Sequence, residues 1–215
     1  MLRLPQKNNL NTVYHYFDYK SPYAYLAQKA NWELEALPDV QVCWVPYTLK
    51  IEKYLGCAEL GNDGVDVVGE RNDHQWRRVR YSYMDCRREA NRRGLTILGP
   101  KKIFNSSLAH IAFLYVSKTE DPRRYHDAVF ERFWRREFDL ESYQEVTGLI
   151  KELGYYVQEF SAYYKDLGLK EYQAIQIEAE NSGVFGVPSW RHNGELYWGL
   201  ERLSLLKKNL KEQMN

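Results

Sequence analysis

The stretch YFDYKSPYAYLA, residues 16–27, decides the fold. Aromatic and β-favouring residues from Val13 to Tyr19 predict a strand, and Ser21-Pro22 then breaks it. Ser is among the best helix N-caps, and Pro at the first helical position gives up no N–H that the helix needs. A helix is therefore expected over Pro22 to Glu35, with Tyr25, Gln28 and Trp32 down one side. Leu37-Pro38-Asp39 ends it, and Val40 to Val45 predicts a second strand. Strand, helix and strand within about 35 residues make a βαβ unit, whose two strands run parallel.

Outward from that unit the pattern changes. Trp76, Val79, Tyr83, Cys86 and Ala90 recur at helical spacing, with Gly94 following as a C′ residue. Leu108, Ile111, Ala112 and Tyr115 mark another helix. Asp121-Pro122 supplies cap and first turn for a third, carrying Tyr125, Val129 and Phe133. A fourth carries Tyr143, Val146, Ile150 and Leu153 and closes at Gly154. A fifth carries Tyr172, Ile175 and Ala179 and ends near Asn181-Ser-Gly183. No strand is predicted between about residues 65 and 180. Val187 to His192 is strand-like again, Asn193-Gly194 is a two-residue hairpin signal, and Glu195 to Trp198 returns. Leu203, Leu206 and Leu210 line one face of a terminal helix.

The order β-α-β, helices, β-β-α joins the outer pieces into one mixed four-stranded sheet. That is an α/β, thioredoxin-like plan with a large all-helical insertion. Residues 12–60 and 181–215 form the sheet domain, and residues 61–180 the insertion.

Composition bounds the function. The 215 residues carry a net charge of +1, which gives no global case for nucleic acid or membrane partners. No apolar run approaches the roughly 20 residues of a membrane-spanning helix, and the first residues lack a signal peptide's apolar segment. Cys43, Cys57 and Cys86 form neither a C-x-x-C nor a zinc pattern. The five histidines lack metal spacing such as H-E-x-x-H. These features predict a cytoplasmic protein without a metal. Cys43 is expected in the core, and most of the histidines read as surface or core residues, with His110 a weak candidate for a place near the site. Residues 71–103 hold ten Arg and Lys against three acids. They read either as a solvated helix face or as a positive rim for an anionic ligand.

Two motifs carry chemistry. Ser21 caps a helix whose free N–H groups and positive dipole end face the carboxyl ends of the strands, where such sheets bind ligands. Gly186-Val187-Pro188 precedes the hairpin. A Pro entering a strand belongs at an edge, a bulge or a cis bend, and a cis bend would free the Val187 backbone to pair with an extended peptide.

The combination F-D-x-x-S-P-Y-x-Y-L-A, G-V-F-G-V-P and W-G-x-x-R-L resembles the 2-hydroxychromene-2-carboxylate isomerase family. That family is close to kappa-class glutathione transferases and belongs to the DsbA-like branch of the thioredoxin fold. The matching segments are Phe17 to Ala27, Gly183 to Pro188 and Trp198 to Leu203. Weaker matches lie at Gly61-Asn62 and at Asp85, Arg88 and Ala90. The resemblance implies glutathione as cofactor, a homodimer, and an anionic, aromatic-type small-molecule substrate. It implies Ser21 as the catalytic hydroxyl that bonds the glutathione sulfur. It places Asn62, Val187 and cis-Pro188 at glutathione, and Tyr23 and Arg88 in the substrate pocket. Where redox relatives carry C-x-x-C this chain reads Ser21-Pro22-Tyr23-Ala24, which excludes dithiol exchange by the protein itself. At the start of the last helix relatives have a small polar residue and Asp gripping the γ-glutamyl end. Here Leu200 and Glu201 stand there, leaving a backbone contact and a carboxylate on a longer stem. Two alternatives stay open. One is a kappa-like transferase, and the other is a catalytically quiet protein that binds a peptide or partner strand along the Val187 edge.

Overall fold

The computed structural model describes residues 11–61 and 66–213. Strand β1, Asn11–Phe17, leads into α1, Pro22–Glu35, and β2, Val40–Pro46. The expected first strand thus ends two residues early, because Asp18 to Lys20 turn into the helix cap. β1 and β2 pair in parallel along seven residues, from Asn11 opposite Val40 to Phe17 opposite Pro46. After the helical block come β5, Ser189–His192, and β6, Glu195–Trp198, both antiparallel. The sheet order is β2-β1-β5-β6, so β1 is central and pairs with the far end of the chain. The β5–β6 turn has positive φ at Asn193 (49°) and Gly194 (85°), as a tight hairpin of this kind requires.

Alternation along β1 sets the two faces. Val13 and His15 lie on one face, level with Val42, Trp44 and Trp190 of the neighbouring strands. α1 and the terminal helix α9, Leu203–Gln213, cover that face through Ala27, Leu34, Leu203, Leu206 and Leu210. Burying each of those leucines contributes roughly 1.5–3 kcal/mol. Tyr14 and Tyr16 point the other way, into the larger core shared with the helical block.

Between the two halves lie α2, Glu52–Leu55, and a small antiparallel ribbon of β3, Ala58–Leu60, and β4, Asp66–Gly69. β4 corrects the expectation that no strand follows residue 65, because a four-residue edge ribbon is too short to carry a periodic signal. The helices are α3, Asp73–Arg92; α4, Ser107–Val116; α5, Arg123–Trp134; α6, Tyr143–Glu152; α7, Phe160–Lys165; and α8, Leu167–Asn181. A reciprocal capping box opens α3, with Asn72 accepting from the Gln75 N–H and the Gln75 side chain accepting from the Asn72 N–H. At α5 the expected pair is displaced by one residue. Pro122 is itself the cap, and the Asp121 carboxylate accepts from the Arg123 N–H at 3.0 Å. Gly94, Gly154 and Gly183 follow their helices with positive φ, as anticipated. Among the described residues no helix is long and apolar enough to cross a membrane.

Candidate active site

Asp18 to Ser21 form the turn from β1 into α1, and this turn builds the site. Ser21 has extended backbone angles and accepts at Oγ from the Ala24 N–H (3.2 Å), a working N-cap. The same hydroxyl donates towards the Val187 carbonyl at 3.4 Å. Val187 stands beside it because β5 pairs with β1 and because the Val187–Pro188 bond is cis. Among the described residues no hydrogen bond engages the N–H of Val187 or of Tyr23. Two free donors therefore flank the Ser21 hydroxyl at the positive end of a fourteen-residue helix.

Ser21 and Val187 lie in the wall of a cavity of about 1330 Å³ between the sheet and α3. Phe185 and Trp198 border it, their ring centres 4.9 Å apart. Gly186 makes this possible, since a Cβ there would come within 2.6 Å of Trp198 Nε1. The lining carries ten Lys and Arg side chains and no Asp or Glu. Eight of the ten come from the basic stretch 71–103, including Arg78, Arg80, Arg87 and Arg88. Several also have partners elsewhere: Arg88 meets Asp85 at 3.3 Å and Lys102 meets Glu141 at 2.5 Å. α3 thus lays a basic, solvent-exposed face along the cavity.

Tyr23 and Arg88 both line this space, joined through Asp85. The Tyr23 hydroxyl donates to Asp85 Oδ2 at 3.2 Å. Burial, and then the Asp85 charge, push the Tyr23 phenol up to about 12, so it stays a neutral donor. Leu200 and Glu201 do not line the cavity. Leu200 packs against the core under α9, and the exposed Glu201 carboxylate lies over Gly199. Asn62 lies outside the described residues. His110 is fully buried, held neutral by burial with its pKa lowered to about 4.

What sequence reasoning missed is the pair Asp18 and Lys20, 0% and 6% exposed. Asp18 accepts from the Leu49 N–H (2.8 Å), the Ser106 hydroxyl (2.6 Å) and the Lys20 N–H (3.2 Å). Its Oδ2 faces Lys20 Nζ at 3.3 Å. Burial alone would raise this carboxyl. Lys20, His110 and the bonds from Ser106 and Leu49 outweigh it and hold the pKa below the usual value. Behind Asp18, Tyr172 donates to Thr48 Oγ1 (2.7 Å), which lies 2.8 Å from His110 Nδ1. A Thr48 hydroxyl donating to that nitrogen leaves the proton on His110 Nε2, 3.5 Å from Asp18 Oδ1. The available signal was Asp18 itself, an acid closing an otherwise aromatic strand.

A four-stranded sheet with a helix N-terminus facing a cis-proline loop, and a helical block inserted between, defines a thioredoxin-type protein. The DSBA-like thioredoxin domain model matches residues 12–211, and the chain belongs to that family. Within it, the chain is similar to the 2-hydroxychromene-2-carboxylate isomerase of Pseudomonas putida, with 29% identity over 89% of this chain and 90% of the relative. It is similar to the Sphingobium xenophagum protein of that name, with 24% identity over 93% of this chain and 97% of the relative. A solved structure of 2-hydroxychromene-2-carboxylate isomerase superposes with a TM-score of 0.74 at 22% identity, covering 94% of this chain and 96% of that one.

Proposed function

We propose that this protein is a glutathione-dependent isomerase of the 2-hydroxychromene-2-carboxylate isomerase type, acting on an unsaturated aromatic carboxylate. The observation that carries the reading is the placement of Ser21 and Val187 in the wall of a cavity lined by ten cations and no acid. The residues present fit the tripeptide thiol. The free Val187 N–H suits an extended peptide backbone, and the Ser21 hydroxyl and Tyr23 N–H suit an anionic sulfur. Glutathione, when bound, supplies a thiolate that adds reversibly to a conjugated double bond and so frees that bond to rotate.

The chain's own contributions follow from geometry. The dipole of α1 and the Ser21 hydroxyl favour thiolate over thiol, as helix N-termini do for cysteine. Arginines on α3 meet carboxylates, and their field draws an anionic substrate in. Phe185, Trp198 and Met84 offer apolar surface to an aromatic ring. With Ser21 and Ala24 at the ends of the turn that carries two cysteines in redox relatives, the chain has no dithiol there. The reading therefore excludes dithiol exchange.

The test is thermal denaturation and calorimetry with millimolar glutathione, followed by an absorbance assay of chromene-carboxylate isomerisation. A raised midpoint, heat of binding and thiol-dependent turnover are expected. Neither shift nor heat would sink the reading and favour a protein that binds a partner strand along the Val187 edge.

A further inference from the structure

The ten cations around the cavity differ in one respect that bears on chemistry. Nine are exposed or half-buried on the rim, whereas Lys20 is buried and adjoins Ser21 in sequence. A point charge in a water-poor site acts more strongly on a neighbouring group than the same charge at the surface. Desolvating an ammonium is also costly, so a buried Lys needs both a counter-charge and a reason to be there. Asp18 is the counter-charge, but it does not need the whole ammonium. Its oxygens already accept from Leu49, Ser106 and the Lys20 backbone. The one ion pair at 3.3 Å leaves the remaining N–H donors of Nζ without a partner among the described residues.

We infer that Lys20 is a catalytic residue whose ammonium meets the carbonyl oxygen of an unsaturated aromatic 2-oxo acid in the cavity and polarises its conjugated system. Asp18 is the positioning residue that holds the Lys20 ammonium in place through their 3.3 Å ion pair. The inference rests on the proposed isomerase reading for the class of substrate. Ring-opening of a 2-hydroxychromene-2-carboxylate gives such an acid: a carboxylate, a ketone beside it, and a double bond conjugated to an aryl ring. The division of labour follows from the groups. The rim guanidiniums are planar forks suited to the carboxylate, while the compact ammonium of Lys20, on the residue before Ser21 in the same cavity wall, suits a single carbonyl oxygen. Electron density drawn onto that oxygen leaves the far carbon of the double bond more open to attack. No bond to the protein forms.

The test needs no turnover and no glutathione. 4-Dimethylaminobenzylidenepyruvate is a 2-oxo acid of this class whose absorption moves to the red when a cation polarises its carbonyl. Wild-type protein should bind it with a red shift. Lys20→Met should abolish the shift and weaken binding about tenfold to a hundredfold, the range for a charge-assisted hydrogen bond. Lys20→Arg should restore part of both. If Lys20→Met does not melt cooperatively, Lys20→Gln takes its place, since it keeps a donor towards Asp18 without the charge. No shift with wild type, or an equal shift with the uncharged variant, overturns the inference. A wild-type shift that vanishes in the variant, without isomerisation when glutathione is added, upholds the Lys20 contact to the carbonyl oxygen and sinks the isomerase reading instead.

Discussion

Ser21 Oγ lies 3.4 Å from the carbonyl oxygen of Val187, a residue 166 positions further along the chain. The hydroxyl also holds the first turn of α1 by accepting from Ala24. Ser21→Ala removes both bonds. Loss of an N-cap costs about 1 kcal/mol, so the melting temperature should drop by about 2–4 °C in a chain of this size. If Ser21 also stabilises a bound thiolate, titration of bound glutathione by its thiolate absorbance should give a higher pKa in the variant, with slower turnover. An unchanged thiol pKa and rate would reduce Ser21 to a cap.

Gly186→Ala tests the aromatic border of the cavity. The new methyl group would stand 2.6 Å from Trp198 Nε1 and 3.2 Å from Cε2, so the indole must move off the loop. Overpacking of this kind typically costs about 1–3 kcal/mol. Because Trp198 is half-exposed beside Phe185, the change should also shift its fluorescence and weaken aromatic ligands more than aliphatic ones. Equal loss for both ligand types would place the ring of the substrate elsewhere.

Acid should unfold the protein through buried imidazoles. Burial lowers the His15 pKa to about 3, that of His110 to about 4, and that of His126 well below its ordinary value. A histidine whose folded pKa lies below its unfolded one binds its proton more readily when unfolded. Its contribution is fully present above about pH 6.5 and falls by about 1.4 kcal/mol per pH unit below that, until the folded pKa is reached. Asp18, with its lowered carboxyl, adds its loss only at still lower pH. The melting temperature should therefore decline steadily from pH 6.5 to 4, with calorimetry in buffers of different ionisation heat showing uptake of up to three protons on unfolding. A flat profile across that range would mean that these rings ionise freely in the folded protein.

Asn31 ties α1 to the sheet. Its Nδ2 lies 2.9 Å from His15 Nε2, and its Oδ1 accepts from Trp190 Nε1 at 2.8 Å, all in the interior. Asn31→Ala strands both ring nitrogens, and each unsatisfied group costs about 1–3 kcal/mol. A drop in melting temperature well beyond that of Ser21→Ala is expected. A smaller one would show that the rings find other partners.

Local signals made most of the fold legible. Ser21-Pro22 marks the first residue of α1, and Asn193-Gly194 marks the hairpin. The fourteen-residue α1 and the faces of α3 and α9 repeat often enough to be read. The short α2 and α7, at four and six residues, do not complete two turns and leave no periodic trace. Of the candidate site, Ser21, Tyr23, Arg88 and Val187 do share one cavity, while Leu200 and Glu201 stand outside its lining. The Asp18–Lys20 pair stayed hidden because its meaning is entirely tertiary. Two charges beside a Ser-Pro read as a solvated turn until Leu49 and Ser106, 31 and 88 residues away, close over them.

The central position of β1 sets a timetable. Its hydrogen-bonding partner β5 lies some 174 residues downstream, at the His15–Ser189 contact. On the ribosome, β1, α1 and β2 emerge first, and the helices that follow can form from local contacts. Throughout that interval one edge of β1 has no strand beside it, a state that invites pairing with another chain. The cavity has no second wall until residues 185–198 have been made. A nascent chain, or one cut before residue 185, can therefore hold its helices and still offer Ser21 no Val187 to face, so binding at this site reports that synthesis has passed that segment.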